Sequence, residues 1–278
     1  MTAIAGIAPI YAVAGFVVGM LVGMTGVGGG SLMTPVLILL FGIHPAVAVG
    51  TDLLHAAVTK TAGTLVHGFS RTIDWSIVRR LALGSMPMTA VVILAMSAVD
   101  INGATGRVLI NVVLTIALVV TMMVLIFRDR IVKYYADRLG KLTPKQTGVL
   151  TVLAGAVLGT IVSVSSVGAG AIGATCLILL YPKLPTARIV GSDIAHAVPL
   201  TLLAGIGHWA LGSIDLQIFG YLILGSVPGI LLGSFLAIRI PEHALRVVLA
   251  LVLMVATAKL AIGLLPPGSP VVASESPR

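Results

Sequence analysis

The chain has 278 residues, 58% of them hydrophobic and only 9% charged, with a mean hydropathy of +1.14. That leaves too little polar surface to cover a soluble globule of this size, so the composition points to an integral membrane protein. The formal net charge of +8 would suggest nucleic acid in a soluble chain, but here Lys and Arg lie mostly between apolar segments, so the charge concerns orientation in a bilayer and no nucleic-acid partner is expected.

The first apolar segment, 7–25, carries Gly15, Gly19 and Gly23, small residues that let helices approach closely in lipid. No basic n-region precedes it and no A-x-A site closes it, so it is expected to be a structural segment and not a cleaved signal. The stretch Thr25-Gly-Val-Gly-Gly-Gly-Ser31 breaks it. The apolar run that follows ends at Gly42, short of the roughly 20 residues that span a bilayer, and is expected to be short or re-entrant. His44-Pro45 opens a third segment, 46–68, and Arg71, Arg79 and Arg80 flank the turn into a fourth, 76–98, before a fifth at 106–127.

Residues 128–147 form the one extended polar stretch, with Arg128, Arg130, Lys133, Arg138, Lys141 and Lys145 against Asp129 and Asp137. The plan then repeats: 148–164, a break at Ser165-Ser-Val-Gly-Ala-Gly170, a short run to Tyr181, and segments at 187–210, 215–238 and 244–264. Residues 265–278 have the composition of a disordered tail. The single cysteine, Cys176, lies in the apolar run CLILLY; it excludes a disulfide within the chain and reads as a buried packing residue. No metal site and no cofactor are expected.

The repetition is residue by residue. Gly50, Asp52, His55, Ala56, His67, Ile73 and Asp74 recur 141 positions later as Gly191, Asp193, His196, Ala197, His208, Ile214 and Asp215, with Thr51 replaced by Ser192. Gly84, Ser85 and Pro87 return as Gly225, Ser226 and Pro228. The expected architecture is an all-α polytopic membrane protein made of two repeats: 1–127 and 148–264, joined by a basic linker at 128–147, each with five apolar segments including a glycine-broken short helix.

Placing the linker in the cytoplasm also puts Arg71 to Arg80, Lys183/Arg188 and Arg239/Arg246 inside, as the positive-inside rule requires. An odd number of crossings per copy then makes the second copy inverted, with both termini outside. Inverted repeats of this kind build secondary transporters with a site near the bilayer midplane.

Within that frame the two breaks are the leading candidates for a binding site. Gly28-Gly29-Gly30-Ser31 and Gly168-Ala169-Gly170 each precede a short helix whose first N–H groups and positive dipole end suit an anion. Thr25, Ser31, Ser165 and Ser166 could add hydroxyl donors; close helix packing is the alternative reading of the same glycines. Asp52 and His55, like Asp193 and His196, are three apart on one helical face inside an apolar span, which suits coupling or gating, or a carboxylate that caps backbone N–H groups. Lys60 has no counterpart, since position 201 is threonine, and either pairs with Asp52 or attracts an anion. His67 and His208, each seven residues before Asp74 and Asp215, read as residues that fix a turn by hydrogen bonding.

The Gly28-Gly29-Gly30 break leading to Thr34-Pro35, the Gly50-Thr51 and Gly191-Ser192 starts, and the spacings from His67 to Asp74 and from His208 to Asp215 resemble the TauE/SafE family of sulfite-exporter-like anion transporters. The resemblance implies a multi-pass bacterial inner-membrane permease for a small sulfur-containing or carboxylated anion. Where that family commonly carries serine after Gly-Thr, this chain has Asp52 and Asp193. The expected function is therefore anion transport, with export favoured by the membrane potential and no enzymatic activity. The lipid bilayer and a small anion are the expected partners, and a homodimer is compatible with the reading. A proton- or cation-coupled transporter using Asp52 and Asp193 is the main alternative, and a membrane-embedded lipid-phosphate enzyme a more remote one.

Overall fold

The computed structural model describes residues 2–25, 30–69, 71–101, 103–139, 142–237 and 242–264. Among these residues the chain is all helical, with ten helices: α1 (Thr2–Thr25), α2 (Gly30–Phe41), α3 (Pro45–Phe69), α4 (Trp75–Ser97), α5 (Ala104–Leu139), α6 (Pro144–Ser165), α7 (Ala171–Leu180), α8 (Thr186–Ala210), α9 (Leu216–Ala237) and α10 (Glu242–Leu264). Five of the described helices are long and apolar enough to cross a membrane: Trp75–Ser97, Ala104–Tyr135, Pro144–Ser165, Thr186–Ala210 and Leu216–Gly233. Helix α3 is as long as α8 but is not in that set: both carry an Asp and a His, and α3 has Thr59, Lys60 and Thr61 where α8 has the more apolar Leu200, Thr201 and Leu202.

The ends of the helices follow from local chemistry. Asp74 caps α4 by accepting from the backbone N–H groups of Ser76 and Ile77, and Asp215 caps α9 in the same way, from Gln217 and Ile218. Thr143 and Gln146 form a reciprocal capping box at the start of α6, with Pro144 at the first helical position. Upstream of that cap, α5 continues as helix through Arg128 to Leu139, so most of the polar stretch between the two copies is helical. Helices α2 and α7, with 12 and 10 residues, are too short to span.

Packing interlaces the two sequence copies. Helix α1 packs on α9, and its counterpart α6 packs on α4; α3 packs on its own counterpart α8; α5 touches α7, as α10 touches α2. Small residues make these approaches feasible. A Cβ on Gly84 would overlap the Val152 carbonyl of α6, and one on Gly225 would overlap the Ala12 carbonyl of α1. Gly15 and Gly19 face Leu222 and Ser226 of α9 in the same manner, while their equivalents Gly155 and Gly159 face Leu81 and Ser85 of α4. In a bilayer, where lipid tails are as apolar as leucine, such close contact replaces the hydrophobic effect as the source of helix association. Large apolar side chains cover the outside, Leu94 of α4 and Leu231 of α9 among them, as a lipid-facing surface requires.

Candidate functional site

Helices α3 and α8 carry the repeated polar residues into the centre of the bundle, where Asp52, His55, Lys60, Asp193 and His196 are all buried. Both helices run unbroken through Gly50-Thr51-Asp52 and Gly191-Ser192-Asp193, so neither carboxylate is at a helix cap. Instead, the equivalent residues reach across to the other copy. His55 Nε2 lies 2.6 Å from Ser226 Oγ of α9, and His196 Nε2 lies 2.8 Å from Ser85 Oγ of α4. The N–H of Asp74 donates to Ser192 Oγ at 2.8 Å, and the N–H of Asp215 donates to Thr51 Oγ1 at 3.1 Å. The Gly-Thr and Gly-Ser starts are thus acceptors for the cap residue that begins a helix of the opposite copy.

The two carboxylates have different surroundings. Asp52 Oδ2 accepts from Thr34 Oγ1 of α2 at 2.6 Å, and its Oδ1 lies 3.6 Å from His55 Nδ1. Asp193 Oδ1 is buried, and no described donor reaches it. It lies against α7 at Gly173, where any Cβ would overlap it.

The second glycine break is a real discontinuity. Ser166 is left-handed at φ 58°, and Gly168 and Gly170 have φ of 111° and 137°, values that side-chain-bearing residues rarely adopt. Ser165 Oγ donates to the Ile161 carbonyl and accepts from the Val167 N–H, which fixes the end of α6. Ser166 Oγ is buried without a partner among the described residues. Lys60, from α3, reaches this point: its Nζ donates to the Ala169 carbonyl at 3.2 Å. Among the described residues neither Asp52 nor Asp193 comes within ion-pair distance of Lys60, though both carboxylates act on it electrostatically, Asp193 the more strongly.

Of the sequence-predicted residues, then, Lys60, Asp193, Ser165, Ser166, Gly168 and Gly170 converge at or beside the second break, while Asp52 and His55 form a separate group with Thr34 and Ser226. The first break falls outside the description: Gly28 and Gly29 are not described, Gly30 is described only as the start of α2, and the side chains of Thr25 and Ser31 are not described. The His67 side chain is likewise outside it, whereas His208 is buried and its Nε2–H donates to the Ser163 carbonyl of α6 at 2.9 Å. Among the described residues no group of three or more His, Cys, Asp or Glu side chains could hold a metal ion. Cys176 is half-buried on α7.

Comparison with known proteins joins this geometry to a family. The family model for "Sulfite exporter TauE/SafE" matches residues 11–260, nearly the whole chain. The chain belongs to the TauE/SafE family. Probable membrane transporter protein YjnA of Bacillus subtilis (strain 168) is 38% identical over 255 residues, covering 88% of this chain and 96% of that protein. Probable membrane transporter protein MJ0441 of Methanocaldococcus jannaschii is 27% identical over 263 residues, covering 88% and 92%. A shorter match, 43% over 60 residues, links it to probable membrane transporter protein YunE of B. subtilis (strain 168). No solved structure matches. This TauE/SafE chain is thus a multi-pass membrane transporter, and its relatives are named as transporters rather than enzymes.

Three residues in the TauE/SafE site escaped the sequence reading of candidate groups: Ser85, Ser226 and Thr34. The two serines had a signal, since they recur at the same offset as the histidines they meet. Thr34 had a weaker one, its place beside Pro35 after the first break.

Proposed function

We propose that this chain moves a small oxyanion, such as sulfite, an organosulfonate or a carboxylated relative, outward across the bacterial inner membrane through a site at the second glycine break. The observation that carries the reading is the Lys60 ammonium held at the Ala169 carbonyl, beside the unpartnered Ser166 hydroxyl and the N-terminus of α7. Lysine has three N–H donors, and the Ala169 carbonyl accounts for one. A buried lysine, a hydroxyl without a partner among the described residues, and a helix start where the Ala171 and Ile172 N–H groups have no intrahelical partner while the Gly173 N–H donates to the Gly168 carbonyl form a set of donors with positive potential, which recognises an anion rather than a cation.

The reciprocal contacts between α1 and α9, α4 and α6, and the two His–Ser pairs support two copies related by a pseudo-two-fold axis, the arrangement of an inverted repeat with its site near the midplane. Export follows from the membrane potential: each negative charge that leaves a negative cytoplasm gains about 2.3 kcal/mol per 100 mV, so efflux needs no coupled cation.

Purified protein melted against a panel of oxyanions tests the reading, because an anion that binds only the folded state raises Tm. Sulfite or a sulfonate should stabilise the parent protein, and Lys60→Met should weaken that binding by about tenfold or more, as expected for a lost charge-assisted hydrogen bond. Gly168→Val should abolish it through the lost positive φ. Variants that fold normally and bind every anion as tightly as the parent would overturn the site.

A further inference from the structure

We infer that Asp193 is the group that carries a proton in the transport cycle, while Asp52, its equivalent in the first copy, is a fixed structural carboxylate; the inference rests on the anion-transport reading and deepens it. The repeat gives the two copies the same residues but not the same bonds. Asp52 Oδ2 accepts from the Thr34 hydroxyl of α2, and the His55 ring of its own helix faces Oδ1 at 3.6 Å, close enough to offset its charge, although Oδ1, like Asp193 Oδ1, accepts no hydrogen bond among the described residues. In the second copy Thr175 stands at the position equivalent to Thr34 and is buried, but among the described residues Asp193 Oδ1 has neither a hydrogen-bond donor nor an ion-pair contact like that of His55 with Asp52. His196 stands where His55 does, but among the described residues it makes no ion-pair contact with Asp193; its Nε2 is engaged by Ser85 and its Nδ1 has no partner.

The space around Asp193 is built for its carboxyl group. Gly173 removes the Cβ that would otherwise overlap Oδ1, and the equivalent position in the first copy is Leu32. The charged and titratable groups around it are Lys60 of α3, Cys176 of α7 and His196 of α8, with Asp52 of α3 beyond Lys60. Lys60 is the one cation in this set. A buried carboxylate with an oxygen that has neither a hydrogen-bond donor nor a facing cation in contact is unfavourable in its charged form and becomes acceptable once a proton forms an O–H bond on it.

The consequence for transport is a matter of charge balance. While Asp193 is ionised, it cancels the field of Lys60 and repels an incoming anion. When a proton from the aqueous phase facing the site binds Asp193, Lys60 is left with uncompensated charge at the second break, and an anion can take its place beside the ammonium. Proton and anion therefore enter together and leave together on the other side. A divalent oxyanion travelling with one proton still carries one net negative charge, so the membrane potential drives it outward; a monovalent anion such as an organosulfonate travels without net charge, gains nothing from the potential, and leaves only down its own concentration gradient or where the pH gradient points outward.

The test uses the full chain reconstituted in lipid vesicles as parent, Asp193→Asn, Asp52→Asn and Lys60→Gln. The first readout is the infrared C=O band of a protonated carboxyl group, followed through a pH titration without substrate. A titrating band should be present in the parent and in Asp52→Asn, absent in Asp193→Asn, and shifted to higher pH in Lys60→Gln. The second readout is flux of sulfite, or of another oxyanion the parent transports, with and without an imposed pH gradient. Asp193→Asn should lose the response to the gradient, its ratio of flux with and without the gradient falling to one, while Asp52→Asn keeps the parent's ratio. A band that survives Asp193→Asn, or a gradient response unchanged in that variant, would overturn the inference while leaving the anion site intact. If the parent moves none of the oxyanions, the transport reading fails, and the infrared titration still decides where the proton sits. Should Asp193→Asn not fold, Gly173→Ala crowds the same oxygen and must displace the band; an unmoved band overturns the assignment.

Discussion

His55 Nε2 of α3 lies 2.6 Å from Ser226 Oγ of α9, and that serine donates its own proton to the Leu222 carbonyl one turn earlier. The imidazole N–H is therefore the donor to Ser226. Replacing Ser226 by alanine leaves a buried ring nitrogen without its partner, a loss of about 1–3 kcal/mol. The equivalent change, Ser85→Ala beneath His196, should cost a similar amount. A double-mutant cycle with His55→Gln and Ser226→Ala, read from thermal melts in detergent, should show the pair losing less than the sum of the singles. Strict additivity would mean that the two residues do not interact.

Glycines at the interlaced contacts should be far less replaceable than glycines on open faces. Gly84→Val and Gly225→Val each place a side chain on the backbone of the opposing helix, which cannot move aside as a side chain can. Overpacking of this kind costs about 1–3 kcal/mol or more, and folded yield should fall sharply in size-exclusion profiles. Gly220→Ala, with nothing within 4 Å of its new Cβ, serves as the control and should elute like the parent. Equal yields for all three would contradict the close packing.

The predicted inversion can be read from outside the cell. With the native cysteine replaced by Cys176→Ala, single cysteines introduced at the exposed positions Thr143 and Gln217 should react with a membrane-impermeant reagent from opposite sides, Thr143 only after the cytoplasmic face is opened. Labelling of both from one side would show that the copies run parallel.

Much of this architecture is legible in the sequence because hydropathy and glycine act locally. The helix starts at Pro45 and Trp75, the capping aspartates and the second break all lie where apolar runs stop and turn chemistry begins. Partner choice is not local, and the sequence does not show it. The 141-residue offset makes His55 equivalent to His196, but nothing in it says that His55 bonds a serine of the opposite copy rather than of its own. Lys60 is harder still, since its bond to Ala169 joins residues 109 apart and has no counterpart to suggest it. The extension of α5 to Leu139 is only faintly legible: the charges at Arg128, Asp129, Arg130 and Lys133 mark the end of the apolar span, while Ile131, Tyr135 and Leu139 keep helical spacing beyond it.

The interlacing of α1 with α9 and of α4 with α6 has a consequence for how the chain is made. Synthesis delivers α1 first and α9 near the end, so the leading helix enters the bilayer with its glycine stripe, Gly15 and Gly19, bare to lipid until almost the whole polypeptide has emerged. The first copy is a unit of ancestry but not of assembly. A chain arrested after α5 would present that stripe and the matching Gly84 groove with nothing to fill them, and a neighbouring nascent chain offers the same two surfaces. Quality control in the membrane must therefore tolerate a long-lived intermediate whose most adhesive faces are its least apolar ones.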